Sequence, residues 1–326
     1  MKNLIFSVAA FFVVSIAFGQ MNVSTVDQTG NGNSSSVSQT GLMNLSDVDQ
    51  TGNDNASEVT QIGTTNDSDV DQIGNDNDFD VDQNGTDNDA DVYQEGNGNL
   101  GGGPSLIWGT RQIGERNYSD TNSFGDDNNA GTSQEGNDNT AAIDQDGDRN
   151  IANGGNFGIR QIGDRNDYLT TQWGDDNFAT SFQTGNDNNG VLPWGTRQQG
   201  DRNSATNVQT GDMNDSGTGQ FGDDNVSSIT QVGDMNLANG TWYGNVQFGN
   251  MNNANIEQYG DLNDAHNWQE GDMNIATAVQ DGDENYSRIY QEGDMNFADT
   301  SQTGELHNSL VNQVGNSNSS IVTQSN

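Results

Sequence analysis

A glutamine returns every 11 residues through almost the whole chain, and a glycine and an asparagine keep fixed phase with it. The series runs Gln28, Gln39, Gln50, Gln61, Gln72, Gln83, Gln94, then Gln112, Gln134 and Gln145, with Ser123 standing at one position of the ladder. It continues as Gln161, Gln172, Gln183, then Gln198, Gln209, Gln220, Gln231, and finally Gln247, Gln258, Gln269, Gln280, Gln291, Gln302, Gln313 and Gln324. Glycine follows two positions later in every register but the last. Asparagine follows five positions later, except where His307 replaces it. Periodicity this regular implies a repeat architecture in which one supersecondary unit is stacked on copies of itself.

Between each asparagine and the next glutamine the sequence alternates. In Asn44-Leu-Ser46-Asp-Val48-Asp-Gln50 the second, fourth and sixth residues after the asparagine are small, β-branched and amide, while those between are acidic or apolar. Alternation with period two over seven residues predicts a half-buried strand. Gly-x-x-Asn supplies the reversal, and glycine and asparagine are both expected to take the positive φ of a tight turn. A glycine at every polar corner and β-branched residues at period two oppose a helix. The predicted fold is all-β: a parallel, cross-β solenoid of strand-turn-strand coils, 22 residues per coil in two half-repeats of 11. The outlook is about 13 coils stacked about 4.8 Å apart, with the glutamines and asparagines as hydrogen-bonded amide columns.

Composition restricts what such a solenoid can do. The net charge is -39, with no cysteine, two prolines and 42 glycines among 326 residues. That acidity disfavours nucleic acid and anionic membrane surfaces as partners, and the lack of cysteine removes disulfides and thiolate metal sites. Residues 1–19 read as a secretory signal peptide, with Lys2, an apolar run from Leu4 to Phe18, and small Ala17 and Gly19 before Gln20. The repeat domain then spans 20–326, and no membrane insertion is expected of it.

The motif Asn-x-(Ala/Ser)-x-(Val/Ile/Thr)-x-Gln-x-Gly-x-x-Asn resembles the curlin repeat of curli, the secreted functional amyloid of bacterial biofilms. The resemblance covers nearly all of 22–326. It implies a subunit exported unfolded, which polymerises outside the cell into adhesive fibres, with itself, a nucleator subunit and an outer-membrane secretion pore as partners. The first repeat begins at once at Asn22, without the separate leader of the enterobacterial subunits. The last register, Asn318 to Gln324, is regular, so the chain looks more like a major subunit than a nucleator.

No catalytic residue, cofactor or metal site is expected. The carboxylates sit at repeat positions on outward faces and turns, and His266 and His307 lack the companions of a triad or a metal site. The acidic turns resemble calcium-binding β-roll loops, but with a period of 11 and variable turn residues. Four insertions interrupt the step, near 100–111, 151–160, 189–197 and 237–246. They carry Trp108, Phe157, Trp194, and Trp242 with Tyr243, and three end in an arginine before the glutamine: Arg111, Arg160 and Arg197. These aromatics are candidate contact residues, for packing on the solenoid wall or for adhesion and lateral fibre contact. The expected function is assembly; a monomeric solenoid binding calcium, ice or polysaccharide is the alternative from another class.

Overall fold

The alternating segments are strands and the Gly-x-x-Asn segments are the corners between them. The computed structural model describes residues 21–101, 109–152, 158–190, 195–238 and 244–326, and the signal-peptide reading and the aromatics Trp108, Phe157, Trp194, Trp242 and Tyr243 fall outside these. Two parallel sheets face one another, and each strand pairs with the strand two further along the chain. The strand Val23–Asn31 lies on Leu45–Asn53, with Gln28 opposite Gln50, and Ser34–Leu42 lies on Ala56–Thr64, with Gln39 opposite Gln61. Repetition of this step builds a β-solenoid of about 13 turns.

Register survives the insertions because each one leaves from the middle of a strand. Leu100–Gly101 and Thr110–Glu115 both pair with Asp78–Thr86, so the seven extra residues leave between two segments of one arm. Gln83 therefore still faces Gln112. Each sheet carries two insertions, and between them lies a coil with glycine at the departure point: Gly131 in one sheet, Gly217 in the other. The Gly131 amide donates to Ala152 O, and its carbonyl accepts from Gly158 N; Gly217 does the same with Ala238 and Gly244. One device is thus built twice, on opposite faces.

The core is one side chain thick on each side. Small residues two places after the asparagine face β-branched ones four places after it, as with Val48, Val59, Val70 and Val81 in the first coils and Ile229, Ile256 and Ile289 in the last. Burying each valine or isoleucine contributes about 1.5–3 kcal/mol. Two buried aromatics interrupt this ladder, and glycines make room for them. A Cβ on Gly101 or Gly109 would stand 2.4 or 2.3 Å from the Phe79 ring, and one on Gly190 would stand 2.2 Å from Tyr168. The Tyr168 hydroxyl is within 3.0 Å of Thr196 Oγ1 and also accepts from Asn207 Nδ2. Burial holds this phenol well above its usual range.

The corner differs from the expectation in one respect. The corner glycine has positive φ, but the second left-handed residue is the one before the asparagine: Asp54 at 57°, Thr65 at 54°, Met273 at 58°. The asparagine is instead buried, and its side chain binds backbone, which fixes its place in the motif. The glycine is required twice over. A Cβ on Gly52 would meet Gly74 O at 1.7 Å, so the coils stack closely only without side chains there.

Candidate assembly interface

Each interior glutamine except Gln94 makes two kinds of bond from one amide nitrogen. Gln50 Nε2 donates to Gln72 Oε1 in the next coil (2.8 Å) and to Ser34 O in the opposite sheet (3.1 Å). Gln258 does the same with Gln280 Oε1 (2.9 Å) and Leu237 O (3.0 Å). The glutamine is therefore a corner brace that ties coil to coil and sheet to sheet, from a fully buried position. Asparagine columns run in the opposite sense: the amide of Asn66 donates to Asn44 Oδ1 (3.1 Å), and Asn66 Nδ2 donates to Gly85 O (3.2 Å). Ser123 breaks one glutamine column. Its hydroxyl reaches Gln145 Oε1 at 3.2 Å, but Gln94 Nε2 below it is buried without a hydrogen-bond partner.

These columns have a direction, so the two ends of the solenoid are unlike. Among the described residues, Gln28 and Gln39 receive no ladder bond on Oε1, while Gln313 and Gln324 donate only across the corner, to Phe297 O and Asn308 O, each at 2.9 Å. The first backbone amide of each arm points to the coil on its C-terminal side, as Tyr286 N does to His307 O and Phe297 N to Asn318 O, both 2.8 Å. Amides on one edge of a strand recur every second residue. Those of Asn308, Leu310 and Asn312, and of Ser319, Ile321 and Thr323, therefore line the last edge in a row of unpaired donors.

Charge is zoned along the axis. On one face of the first coils Asp47, Asp69 and Asp91 stand in vertical register, flanked by Asp27, Asp49 and Asp71 and by Asp67 and Asp89. Partial burial, then repulsion from Asp71 and Asp47, pushes Asp69 up to about 6 from 3.8. Burial, then Asp91 and Asp67, does the same to Asp89. On the other sheet burial, with Asp78 and Glu58, raises Asp80 to about 6. Of these outward carboxylates, which the sequence reading placed simply on a solvated face, Asp80 and Asp89 are half-buried by their stacked neighbours and Asp69 stays exposed.

In the middle coils the left-handed turn position alternates in sign up each edge. One edge reads Asp127, Arg149, Asp176, Arg202, Asp224; the other reads Asp87, Arg116, Asp138, Arg165, Asp187. Each arginine forms a two-pronged bond to the aspartate one coil on: Arg149 to Asp176 at 2.7 and 2.9 Å, and Arg116 to Asp138 at 2.6 and 2.8 Å. The hydrogen bond from each arginine holds its aspartate below the usual carboxylate range. The sequence on its own singles out Arg111, Arg160 and Arg197 instead, because the alternation of the turn residues appears only at a spacing of one whole coil.

The other candidate residues do not converge. His266 Nε2 lies 2.7 Å from Asp264 Oδ1 on the outer face, and His307 occupies an asparagine slot with Nε2 3.1 Å from Thr303 O. No cluster of three or more His, Cys, Asp or Glu positioned for a metal occurs among the described residues. Arg197 lies over the Trp173 ring at 4.6 Å and the Phe221 ring at 5.3 Å, an aromatic–cation stack on the outer wall. No described helix is long and apolar enough to cross a membrane.

The profile of a family described as the curlin associated repeat matches residues 52–85 and 293–325. Curlin associated repeats are therefore present in this chain. No curated protein matches the chain. The two matched stretches lie near opposite ends of the repeat array, and the same Gln columns run through both and, apart from the break at Ser123, through the coils between them. Repeat family and solenoid together point to a structural protein rather than an enzyme.

Proposed function

We propose that the chain is a secreted structural subunit that polymerises end to end into extracellular, curli-like amyloid fibres of a biofilm matrix, supporting adhesion and cell aggregation. The observation that carries this reading is the complementarity of the two ends. The last coil offers amide donors at Gln313, Gln324 and the strand edge, and the first coil offers the Gln28 and Gln39 acceptors in the same column. A second copy stacked head to tail continues every column without a change of register. A nucleator subunit and an outer-membrane pore, both implied by the family, would start and export the chain.

The test blocks one end without touching the core. Leu310→Pro with Ile321→Pro removes two edge donors, and both side chains are exposed, 68% and 69%. Proline is tolerated on an edge whose amide has no partner. The native chain, diluted from denaturant, is expected to form fibres with a lag that native seeds abolish. The double variant is expected to keep its β circular dichroism and to fail to sustain growth. Fibre formation at the native rate by the variant, or a native chain that stays soluble at micromolar concentration and ignores seeds, refutes the reading.

A further inference from the structure

The turn position that carries Asp and Arg in the middle coils carries methionine in the later ones. Directly above Asp224 on one edge come Met251, Met273 and Met295, in consecutive coils with φ of 56°, 58° and 56°. Above Asp187 on the other edge come Met213 and Met235. The left-handed conformation disfavours residues other than Gly, Asn and Asp, and the core does not use these side chains: Met251, Met273 and Met295 are 52, 47 and 53% exposed. An exposed apolar column at a conformationally costly site serves neither folding nor solubility.

The same edge shows that side chains in this slot reach one another across coils. Arg202 Nε meets Asp224 Oδ1 at 2.8 Å, one coil below Met251. Backbone bonds of 2.9 Å from Met273 N to Asn250 O and from Met295 N to Asp272 O keep the three methionines in strict stack. Thioether sulfurs sharing one trigonal ion lie about 4 Å apart if each metal–sulfur bond is about 2.3 Å. Neighbouring Cα atoms stand about 4.8 Å apart and the outer two about 9.6 Å apart, so convergence needs each outer three-bond side chain to lean about 2.8 Å along the axis, which its length allows. Beside the column stand Asp272 and Asp294, whose Oδ1 atoms accept from Asn250 N and Asp272 N at 2.8 and 3.0 Å.

We propose that Met251, Met273 and Met295 form a thioether site for a soft monovalent cation of the copper(I) and silver(I) class. Soft thioether donors select such ions over hard divalent ones, and the acidic surface concentrates cations near the column. The site is internal to the chain, so it exists in monomer and fibre alike.

Silver(I), which needs no reductant, is the probe. Full-length folded protein in chloride-free buffer is dialysed to equilibrium against silver nitrate, with excess calcium as competitor. The native chain is expected to hold about one tight equivalent that calcium does not displace. Met251→Leu with Met273→Leu and Met295→Leu should lose it, whereas Met213→Leu with Met235→Leu should keep it. Leucine is compatible with the slot, since Leu262 and Leu306 occupy it at φ 59° and 61°. Absence of a tight equivalent, equal retention by the triple variant, or loss to calcium or on Asp272→Asn with Asp294→Asn alone overturns the proposal.

Discussion

Changing Asp47, Asp69 and Asp91 together to asparagine is expected to favour the assembled state most at low salt. The three stand in register on one sheet, and Asn255 holds the same strand position in a later coil, so asparagine fits. Two like-charge contacts about 4.8 Å apart disappear, each worth about 0.9 kcal/mol at the dielectric of water. Screening leaves about 1.5 kcal/mol of their sum at 0.01 M salt, about 1.1 at 0.1 M and about 0.4 at 1 M. The concentration of chain left in solution beside fibres should then be lower for the variant by about 13-fold, about 6-fold and about 2-fold respectively. The assay is that residual concentration after equilibration at neutral pH, with thioflavin half-times as a kinetic companion. A gap that stays constant with salt, or a variant more soluble than the native chain, refutes the reasoning.

Acid gives the same result by another route, and its sign follows from the raised carboxyls. Asp69, Asp80 and Asp89 titrate at about 6 in the folded chain against 3.8 as the ordinary value, because burial and then neighbouring carboxylates disfavour the charged form. The folded state therefore holds these protons more tightly. The stability they add is complete below about 3.8 and is lost as pH rises through about 6. Between pH 7 and pH 5 the native chain should gain more than the asparagine variant, and the two should converge. A pH response of equal size in both would place the titrating groups among those the variant keeps: Asp80 and Asp89 first, then Asp167, raised to about 6 by burial alone.

Three further outcomes follow from single columns. Ser123→Gln should raise stability by about 1–2 kcal/mol, read as a higher urea midpoint, because it gives the orphaned Gln94 Nε2 its acceptor. Thr65→Asn should add about 1 kcal/mol by the same measure, since Thr65 is a β-branched residue at φ 54° and asparagine tolerates that conformation while still able to donate to Asp87. Replacing Gln258, Gln269, Gln280 and Gln291 with leucine strips the braces from Leu237 O, Asn253 O, Asp264 O and Ile275 O. At about 1–3 kcal/mol for each unpaired group the cross-β order of these coils should be lost, whereas outward Asp299→Asn should stay within about 0.5 kcal/mol.

The coil, its 22-residue step and the inward face were legible because they rest on residue classes repeated in fixed phase: alternation, a glycine where no Cβ fits, a glutamine where a donor is needed. What stayed hidden depends on the next coil rather than on neighbours in sequence. The left-handed residue before the asparagine looked variable in GNDN, GDMN and GERN, because along the chain it follows no rule. Only stacking shows that the middle of each edge is ion-paired and that methionines follow, two on one edge and three on the other. The twin insertions had a readable signal in Trp-Gly-Thr-Arg-Gln at 108–112 and again at 194–198. Their arrangement around Gly131 and Gly217 did not, since it needs the register of three coils.

That division bears on how a sequence this repetitive stays specific. A column of identical residues gives no penalty when a coil slips by one repeat, so the buried glutamines and valines alone would allow many registers. The alternating edges do not. A slip of one coil sets Arg149 against Arg202, and Asp138 against Asp187, and turns bidentate pairs into like-charge contacts. Phe79 and Tyr168 act in the same way from inside, because Gly101 with Gly109, and Gly190 with Gly195, leave room for the ring below them. These features sit in the central coils, around the insertions, and hold the internal register there. The first and last coils lack them and are the most uniform. Uniformity at the ends is what an end-to-end polymer requires, since each end must accept another copy as readily as it accepts its own chain.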